Sequence, residues 1–135
     1  MEKPNTNAYR CTVEATVDVI GGKWKPLIIH YLLSGTKRFG ALRTAIGGVT
    51  QRSLTLQLRE LEAHGIVSRA VFAEVPPRVE YSLTEVGRTL APVLDAMKHW
   101  GDSYVARGES ADSSRPAKQS TDTPMSMRDS PVTRE

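Results

Sequence analysis

The sequence predicts a mainly helical α+β fold, in which a helix-turn-helix is followed by a small β-hairpin. Apolar residues recur at helical spacing in four segments before residue 65. The segment Ile66–Phe72 then changes to β-branched residues that roughly alternate, and Val79–Leu83 has the same character. Between them, Val75–Arg78 contains two prolines, which cannot serve the interior of a ladder and favour a turn.

Two short helices are predicted first. Thr12–Ile20 carries apolar residues at helical spacing, and Gly21–Gly22 ends it. The second helix is predicted over Leu27–Leu33, with Pro26 in its first turn, where the missing N–H is harmless. Residues 1–10, which precede this folded part, are expected to form a polar N-terminal arm.

The third and fourth helices form the predicted helix-turn-helix. Apolar residues in Phe39–Ile46 mark the third helix, which Gly47–Gly48 breaks. Thr50 is placed to cap the fourth helix, Gln51–His64, by accepting a hydrogen bond from an unpaired N–H, and Gly65 is placed to end it. Two short helices joined by a glycine-containing turn are typical of this motif.

A last helix is predicted from Glu85 to about Tyr104, capped by Thr84 and kinked at Pro92. One side of it is apolar and carries Val93, Met97, Trp100 and Tyr104. Either this side closes the core of the monomer or it contacts a second copy, and the small size of the domain favours the dimer. The folded domain is expected over residues 11–106. Residues 107–135 are rich in Ser, Thr, Pro and balanced charges and are expected to be a disordered tail.

Basic residues dominate the middle of the chain. Between Asp18 and Glu60 there is no acidic residue, whereas seven cationic residues occur: Lys23, Lys25, Lys37, Arg38, Arg43, Arg52 and Arg59. Such a stretch makes part of a fold electropositive, as a polyphosphate partner requires. The alternative is an ordinary solvated face that acids elsewhere in the fold balance, and charge alone does not separate the two.

The sequence gives little support to other classes of protein, such as membrane proteins, exported proteins and enzymes. No run of 18 apolar residues exists, so no membrane partner is expected. The polar N-terminus lacks a signal-peptide core, and a single cysteine suits a reducing cytoplasm. The histidines, His30, His64 and His99, have no metal-ligand spacing, and no phosphate loop is present. We therefore expect a cytoplasmic protein that is not an enzyme and holds neither a metal nor a cofactor.

The fourth helix is the candidate DNA reader. At about 100° per residue, Leu54, Leu58 and Leu61 face the core, and the opposite arc holds Arg52, Thr55, Leu56 and Arg59, with Gln51 at the N-terminal end. Arginine pairs with guanine and glutamine with adenine in the major groove, where threonine also bonds base edges or touches thymine methyl groups. We expect Gln51, Arg52 and Thr55, beside Thr50, to lie closest to the bases and Arg59 to contact phosphate. An outward leucine either contacts a methyl group in the groove or packs against the hairpin.

Basic residues outside this helix would add contacts to the DNA backbone. Lys37 and Arg38, at the start of the third helix, are predicted to clamp phosphates, which fixes register without reading sequence. Arg78 is predicted at the tip of the hairpin, where it would enter the minor groove or hold a phosphate. The alternative for Arg78 is a solvated turn residue.

Several segments together carry a family resemblance: Gly22–Trp24, Arg38–Arg43, Leu54–Glu62, Gly65–Arg69, Val75–Thr84 and Trp100–Gly101. They resemble the HxlR-type winged helix-turn-helix transcription regulators of the MarR-like superfamily over roughly residues 8 to 106. The resemblance implies a homodimer whose N- and C-terminal helices form the interface. It also implies a palindromic operator in duplex DNA, with the two reading helices about 34 Å apart.

The resemblance further implies two sensing sites. Some members respond to oxidants or electrophiles through a cysteine near the first helix, where Cys11 lies beside Arg10, and a nearby cation favours the reactive thiolate. Oxidation would then give a Cys11 link between chains, a mixed disulfide or a sulfenic acid, because no second cysteine exists. The alternative is a semi-buried structural cysteine.

A small-molecule effector would occupy a pocket between the dimerisation helices and the DNA-binding lobe, lined by Trp24, Tyr31 or Trp100. Tryptophans in a small domain are more often part of the core. A different class of function also stays open, a winged-helix module that binds protein or a small molecule without DNA. Steep loss of binding with added salt would distinguish DNA binding from that alternative.

Overall fold

The computed structural model describes residues 9–111, with side chains over residues 9–108. Along the chain the elements are α1 (Thr12–Ile20), α2 (Trp24–Leu32), β1 (Lys37–Arg38), α3 (Phe39–Ile46), α4 (Gln51–Ala63), β2 (Val67–Phe72), β3 (Arg78–Leu83), α5 (Glu85–Arg88) and α6 (Ala91–Ala111). The chain separates into two compact units, one that ends at Met97 and one that begins at Lys98. Most of the predicted N-terminal arm, residues 1–8, and residues 112–135 of the predicted tail lie outside the described residues.

The helix-turn-helix, α3 and α4, follows the sequence prediction closely. Gly47 and Gly48 between the two helices have φ angles of 75° and 76°, a region that favours glycine because it has no Cβ. The hydroxyl of Thr50 accepts a hydrogen bond from the Ser53 N–H at 3.0 Å, so the predicted N-cap is confirmed. At the other end, Gly65 has a φ of 76° and follows the last turn of α4.

The sheet contains one strand more than the sequence predicted. The hairpin of β2 and β3 is antiparallel, with Val67 opposite Leu83 and Phe72 opposite Arg78. Lys37 and Arg38, predicted at the start of the third helix, instead form β1, which pairs with β3 and gives the order β1-β3-β2. A two-residue strand has no periodicity of its own, and its partner lies more than forty residues away along the chain. Only the folded chain brings the two together.

The predicted last helix is in fact two helices. The hydroxyl of Thr84 accepts from the Gly87 N–H at 3.0 Å, which confirms it as the cap of α5, but α5 ends at Arg88. The prediction that Pro92 kinks a continuous helix is wrong, because Pro92 lies in the first turn of a new helix, α6, where proline removes no internal hydrogen bond. α6 then continues to Ala111, through residues that the sequence assigned to the tail.

The hydrophobic core lies between the helices α2, α3 and α4 and the sheet. Its buried side chains are Ile20, Ile28, Ile29, Leu32, Leu42, Val49, Leu54, Leu58, Leu61, Ile66, Val67, Tyr81, Leu83 and Leu94. The three leucines predicted to face the core from α4 are fully buried. Their burial fixes which face of α4 remains exposed, because a helix presents opposite faces to the core and to solvent.

Candidate nucleic-acid interface

The exposed face of α4 carries the side chains predicted to read DNA. Gln51, Arg52, Leu56 and Arg59 are exposed and Thr55 is half-buried, and all five line one shallow depression together with Thr50 and Ser53. Within residues 9–108, neither arginine makes an ion pair or a side-chain hydrogen bond. Two guanidinium groups therefore remain available to an external acceptor such as a phosphate or a guanine edge.

Two hydroxyl groups at the start of α4 are already engaged within the helix. Thr50 accepts from the Ser53 N–H, and the Thr55 hydroxyl donates to the Gln51 carbonyl at 2.8 Å. A threonine whose proton is held in this way offers a ligand only the lone pairs of its oxygen and its methyl group. Thr50 therefore stabilises the helix start, whereas Thr55 can accept a hydrogen bond but has no free proton to donate.

Lys25 is not part of the exposed basic surface. It is 8% exposed, and its Nζ donates to Gln57 Oε1 at 2.9 Å and to Glu60 Oε1 at 2.5 Å. The contact joins α2 to the inner side of α4, so one of the seven charges that appeared unopposed in the sequence is in fact paired. Gln57 and Glu60 lie three residues apart and share a helix face, which is the local signal that the sequence offered.

A side chain that no sequence pattern assigned to the site holds the turn between α3 and α4. Arg43 Nε donates to the Val49 carbonyl at 3.0 Å, which ties α3 to the segment leading into Thr50. On β1, Lys37 is half-buried and Arg38 is exposed at the N-cap of α3. The role of Lys37 and Arg38 as phosphate contacts stays a prediction.

Arg78 is held within the hairpin rather than placed at its tip. It is the first residue of β3 and half-buried. Its guanidinium lies 4.1 Å from the centre of the Phe72 ring and makes ion pairs with Glu74 at 3.2 Å and Glu80 at 3.6 Å. The alternative of a solvated turn residue is therefore wrong, and a contact with DNA would have to compete with these acids.

Comparison with known proteins agrees with the geometry. The model of the HxlR-like helix-turn-helix family matches residues 19–109. The chain belongs to that family. It is 52% identical to the HTH-type transcriptional regulator YdeP of Bacillus subtilis over 108 residues, which are 80% of this chain and 84% of YdeP. It is 57% identical to YybR, another such regulator of Bacillus subtilis, over 104 residues, which are 76% of this chain and 83% of YybR.

Solved structures place the HxlR-like chain among winged-helix transcription regulators. The redox regulator HypR in its reduced form is 56% identical and superposes with a TM-score of 0.70 over 74% of this chain and 99% of HypR. Reduced YodB of Bacillus subtilis is 38% identical, with a TM-score of 0.62 over 71% of this chain and 95% of YodB. The predicted fold and family are therefore confirmed, and a regulator of transcription rather than an enzyme is what these relatives indicate.

Cys11 of this HxlR-like chain is exposed and occupies the N-cap of α1, so the alternative of a semi-buried structural cysteine is wrong. The neighbouring Arg10 is directed to Glu14: its backbone N–H donates to Oε1 at 2.9 Å and its Nη2 lies 2.6 Å from Oε2. Both hydrogen bonds lower the pKa of Glu14, and the bond from the backbone N–H has the larger effect. Nearby, Tyr9 donates to Asp18 at 2.7 Å, and this bond raises the pKa of Tyr9.

The three aromatic residues predicted to line an effector pocket have different surroundings. Trp24 and Tyr31 are half-buried and pack against the core, and the Lys23 ammonium lies 4.7 Å from the centre of the Trp24 ring. Trp100, in the unit that begins at Lys98, is 67% exposed and stacks on Tyr104 with ring centres 5.0 Å apart. An effector pocket formed by these residues stays a prediction.

Neither a metal-binding cluster nor a membrane-spanning helix occurs in the part of the chain that the structure describes. No cluster of three or more His, Cys, Asp or Glu side chains suited to a metal ion occurs among those residues. Among the same residues, no helix combines the length and the apolar character needed to cross a membrane.

Proposed function

We propose that this chain is a cytoplasmic, homodimeric transcription regulator that binds a palindromic operator in duplex DNA through the exposed face of α4. The observation that carries the proposal is the pair of unengaged arginines, Arg52 and Arg59, beside Gln51 on a helix whose opposite face is fixed in the core. Arginine and glutamine are the side chains that pair bidentately with guanine and adenine. Lys37, Arg38 and Arg78 would supply contacts to the DNA backbone.

The homodimer is supported by apolar side chains exposed in both units. In the unit up to Met97, α1 exposes Val13 and Val17, and α6 exposes Val93 and Met97. In the unit from Lys98 onward, the apolar side chains that α6 exposes are Trp100, Tyr104 and Val105. Exposed apolar patches on small domains mark association surfaces. A dimer formed by these helices would present two copies of α4 to the two halves of a palindrome, about 34 Å apart.

A response to oxidants through Cys11 is the regulation that we propose. The thiol is exposed at the N-cap of α1, so an oxidant or a second thiol can reach it. Similar solved structures include a redox regulator HypR in its oxidized form and a diamide-treated YodB. Oxidation would give a disulfide between the Cys11 residues of two chains, a mixed disulfide or a sulfenic acid. Each product would change the chemical surroundings of the start of α1. A small-molecule effector is the alternative input.

DNA selection tests the central proposal. The full chain is incubated with random duplexes, the bound sequences are amplified and read, and the selected duplex is then measured by fluorescence anisotropy. We expect a palindromic sequence and an affinity that falls steeply with salt. Arg52→Ala should weaken binding by roughly 5- to 150-fold, because a bidentate base contact contributes about 1–3 kcal/mol. Arg88→Ala, a matched change on α5, should leave the affinity within about twofold.

Two results would contradict the proposal. One is the absence of any enriched sequence, and the other is binding that salt hardly affects, which a protein-binding or ligand-binding module predicts.

The proposed response to oxidants through Cys11 has its own test. Diamide should change the affinity of the wild-type chain for the selected duplex. The Cys11→Ser variant should not respond, and an equal response of both proteins would exclude Cys11 as the sensor.

A further inference from the structure

Leu56 is an apolar residue on the otherwise polar exposed face of α4. It is 52% exposed and lines the same depression as Gln51, Arg52 and Arg59. At about 100° per residue, Leu56 lies roughly 170° from the mean direction of the three buried leucines, further than any other residue in the first nine of the helix. It therefore points most directly away from the core at the position where α4 would enter a groove.

The neighbours of Leu56 place it within the proposed DNA-binding face rather than beside it. Arg52 precedes it by four residues and Arg59 follows it by three, which are the spacings of side chains that adjoin on a helix surface. Both arginines are exposed. The sequence is compatible with packing of Leu56 against the hairpin, but the exposure of Leu56 excludes close packing of that kind within the described chain.

We propose that Leu56 is a specificity-determining residue that reads the C5-methyl group of thymine in the major groove. The inference rests on the proposed function. The thymine methyl is the apolar feature that the base edges of the major groove present. A leucine between two arginines gains nothing from phosphates, whereas contact with a methyl group removes apolar surface of both partners from water.

Thr55 supports the same assignment because its hydroxyl proton is engaged by the Gln51 carbonyl. Thr55 therefore offers a base its oxygen lone pairs or its methyl group, but no donor. The middle of the exposed face of α4 thus combines an apolar leucine with a threonine that has no free proton to donate to a base. Hydrogen bonds to guanine or thymine acceptors would come from the flanking Gln51 and Arg52 instead.

Replacing thymine by uracil tests the proposal, because deoxyuridine lacks only the methyl group. The duplex that the full chain selects from a random library is synthesised again with each dT changed in turn to dU, on both strands. Each affinity is measured by fluorescence anisotropy. For the wild-type chain we expect one position per half-site where dU weakens binding by about fourfold, and about 15-fold when both half-sites are changed, as burial of one methyl group implies.

The variants show whether Leu56 carries the effect. Leu56→Ala should bind the dT and dU duplexes about equally, and Leu56→Met, which retains an apolar side chain of similar volume, should keep most of the preference. Leu33→Ala is the matched control, since Leu33 is also exposed but lies at the end of α2. It should keep the full preference for dT. Thermal unfolding of all the variants monitors the fold.

Three results would overturn the proposal. The first is a wild-type chain that binds the dT duplex but ignores dU at every position, which removes the inference and leaves the proposed function intact. The second is a preference for dT that Leu56→Ala retains in full, which would assign it to DNA shape or to another residue. The third is failure to select any duplex, which would remove the proposed function as well.

Discussion

The contact between Lys25 and Glu60 offers a direct test of how α4 is held against the rest of the fold. Lys25→Met keeps an unbranched apolar stem and removes the ammonium group, which now donates to Gln57 at 2.9 Å and Glu60 at 2.5 Å. After the change, both acceptors on the inner side of α4 lose their donor. We expect the variant to fold, with a lower free energy of unfolding.

The size of the loss follows from the burial of the two partners. Hydrogen bonds to charged groups contribute about 1.5–3 kcal/mol. The Lys25 side chain is 10% exposed, but the Glu60 side chain is 36% exposed and can be hydrated again once its partner is gone. Solvent screening therefore favours the low end of the range, a loss of about 1.5 kcal/mol. For a domain of this size, that loss lowers the Tm by roughly 6–12 °C.

Urea denaturation of the wild type and variants measures this loss. Lys23→Met is the matched control, because it removes the same charge two residues earlier from an exposed position and should cost about 0.5 kcal/mol. A double-mutant cycle with Glu60→Gln isolates the coupling between the two side chains. A loss of less than about 0.5 kcal/mol for Lys25→Met, or effects of the two changes that simply add, would show that this contact does not stabilise the fold.

Two further predictions concern backbone packing and pH. A Cβ at Gly87 would overlap the backbone carbonyl of Ile66, so Gly87→Ala should destabilise by about 1–3 kcal/mol in thermal unfolding. Gly40→Ala, where the added carbon meets nothing, should not, and equal losses would contradict this account. The pKa of Glu14 is lowered by its bonds to Arg10, so its stabilising contribution is present above the ordinary pKa and lost as the pH falls through the lowered one. Arg10→Ala should raise that pKa part of the way in an NMR titration, since the backbone bond remains, and an unchanged midpoint would exclude the guanidinium as a cause.

The elements that sequence reasoning placed correctly are those with local signals. The repeat of leucines in α4 determines which face is buried, and the caps Thr50 and Thr84 use hydrogen bonds to residues only three positions away. The same helical period directs Arg52 and Leu56 outward. Such features depend on the chain within one or two turns, so the sequence is sufficient to predict them.

The break between α5 and α6 shows a local signal that was interpreted wrongly. Pro92 is compatible with a kink in a long helix and with the first turn of a new one, and the structure has the second. Tertiary packing involves Gly87, in the short helix that precedes the break. It lies buried against the Ile66 carbonyl, which leaves no room for a Cβ, and α6 begins at Ala91 after a short turn.

The first four helices, the helix-turn-helix, the hairpin and the exposed face of α4 could be predicted from the sequence, because each follows from periodicity and caps over short distances. Which of the basic side chains are free, in contrast, depends on the tertiary structure. Lys25 is neutralised by Glu60 across 35 residues, and Arg78 is held by Phe72, Glu74 and Glu80 through the pairing of the hairpin. A charge becomes available to a partner only where the fold leaves it without one, and that depends on residues that are distant along the chain.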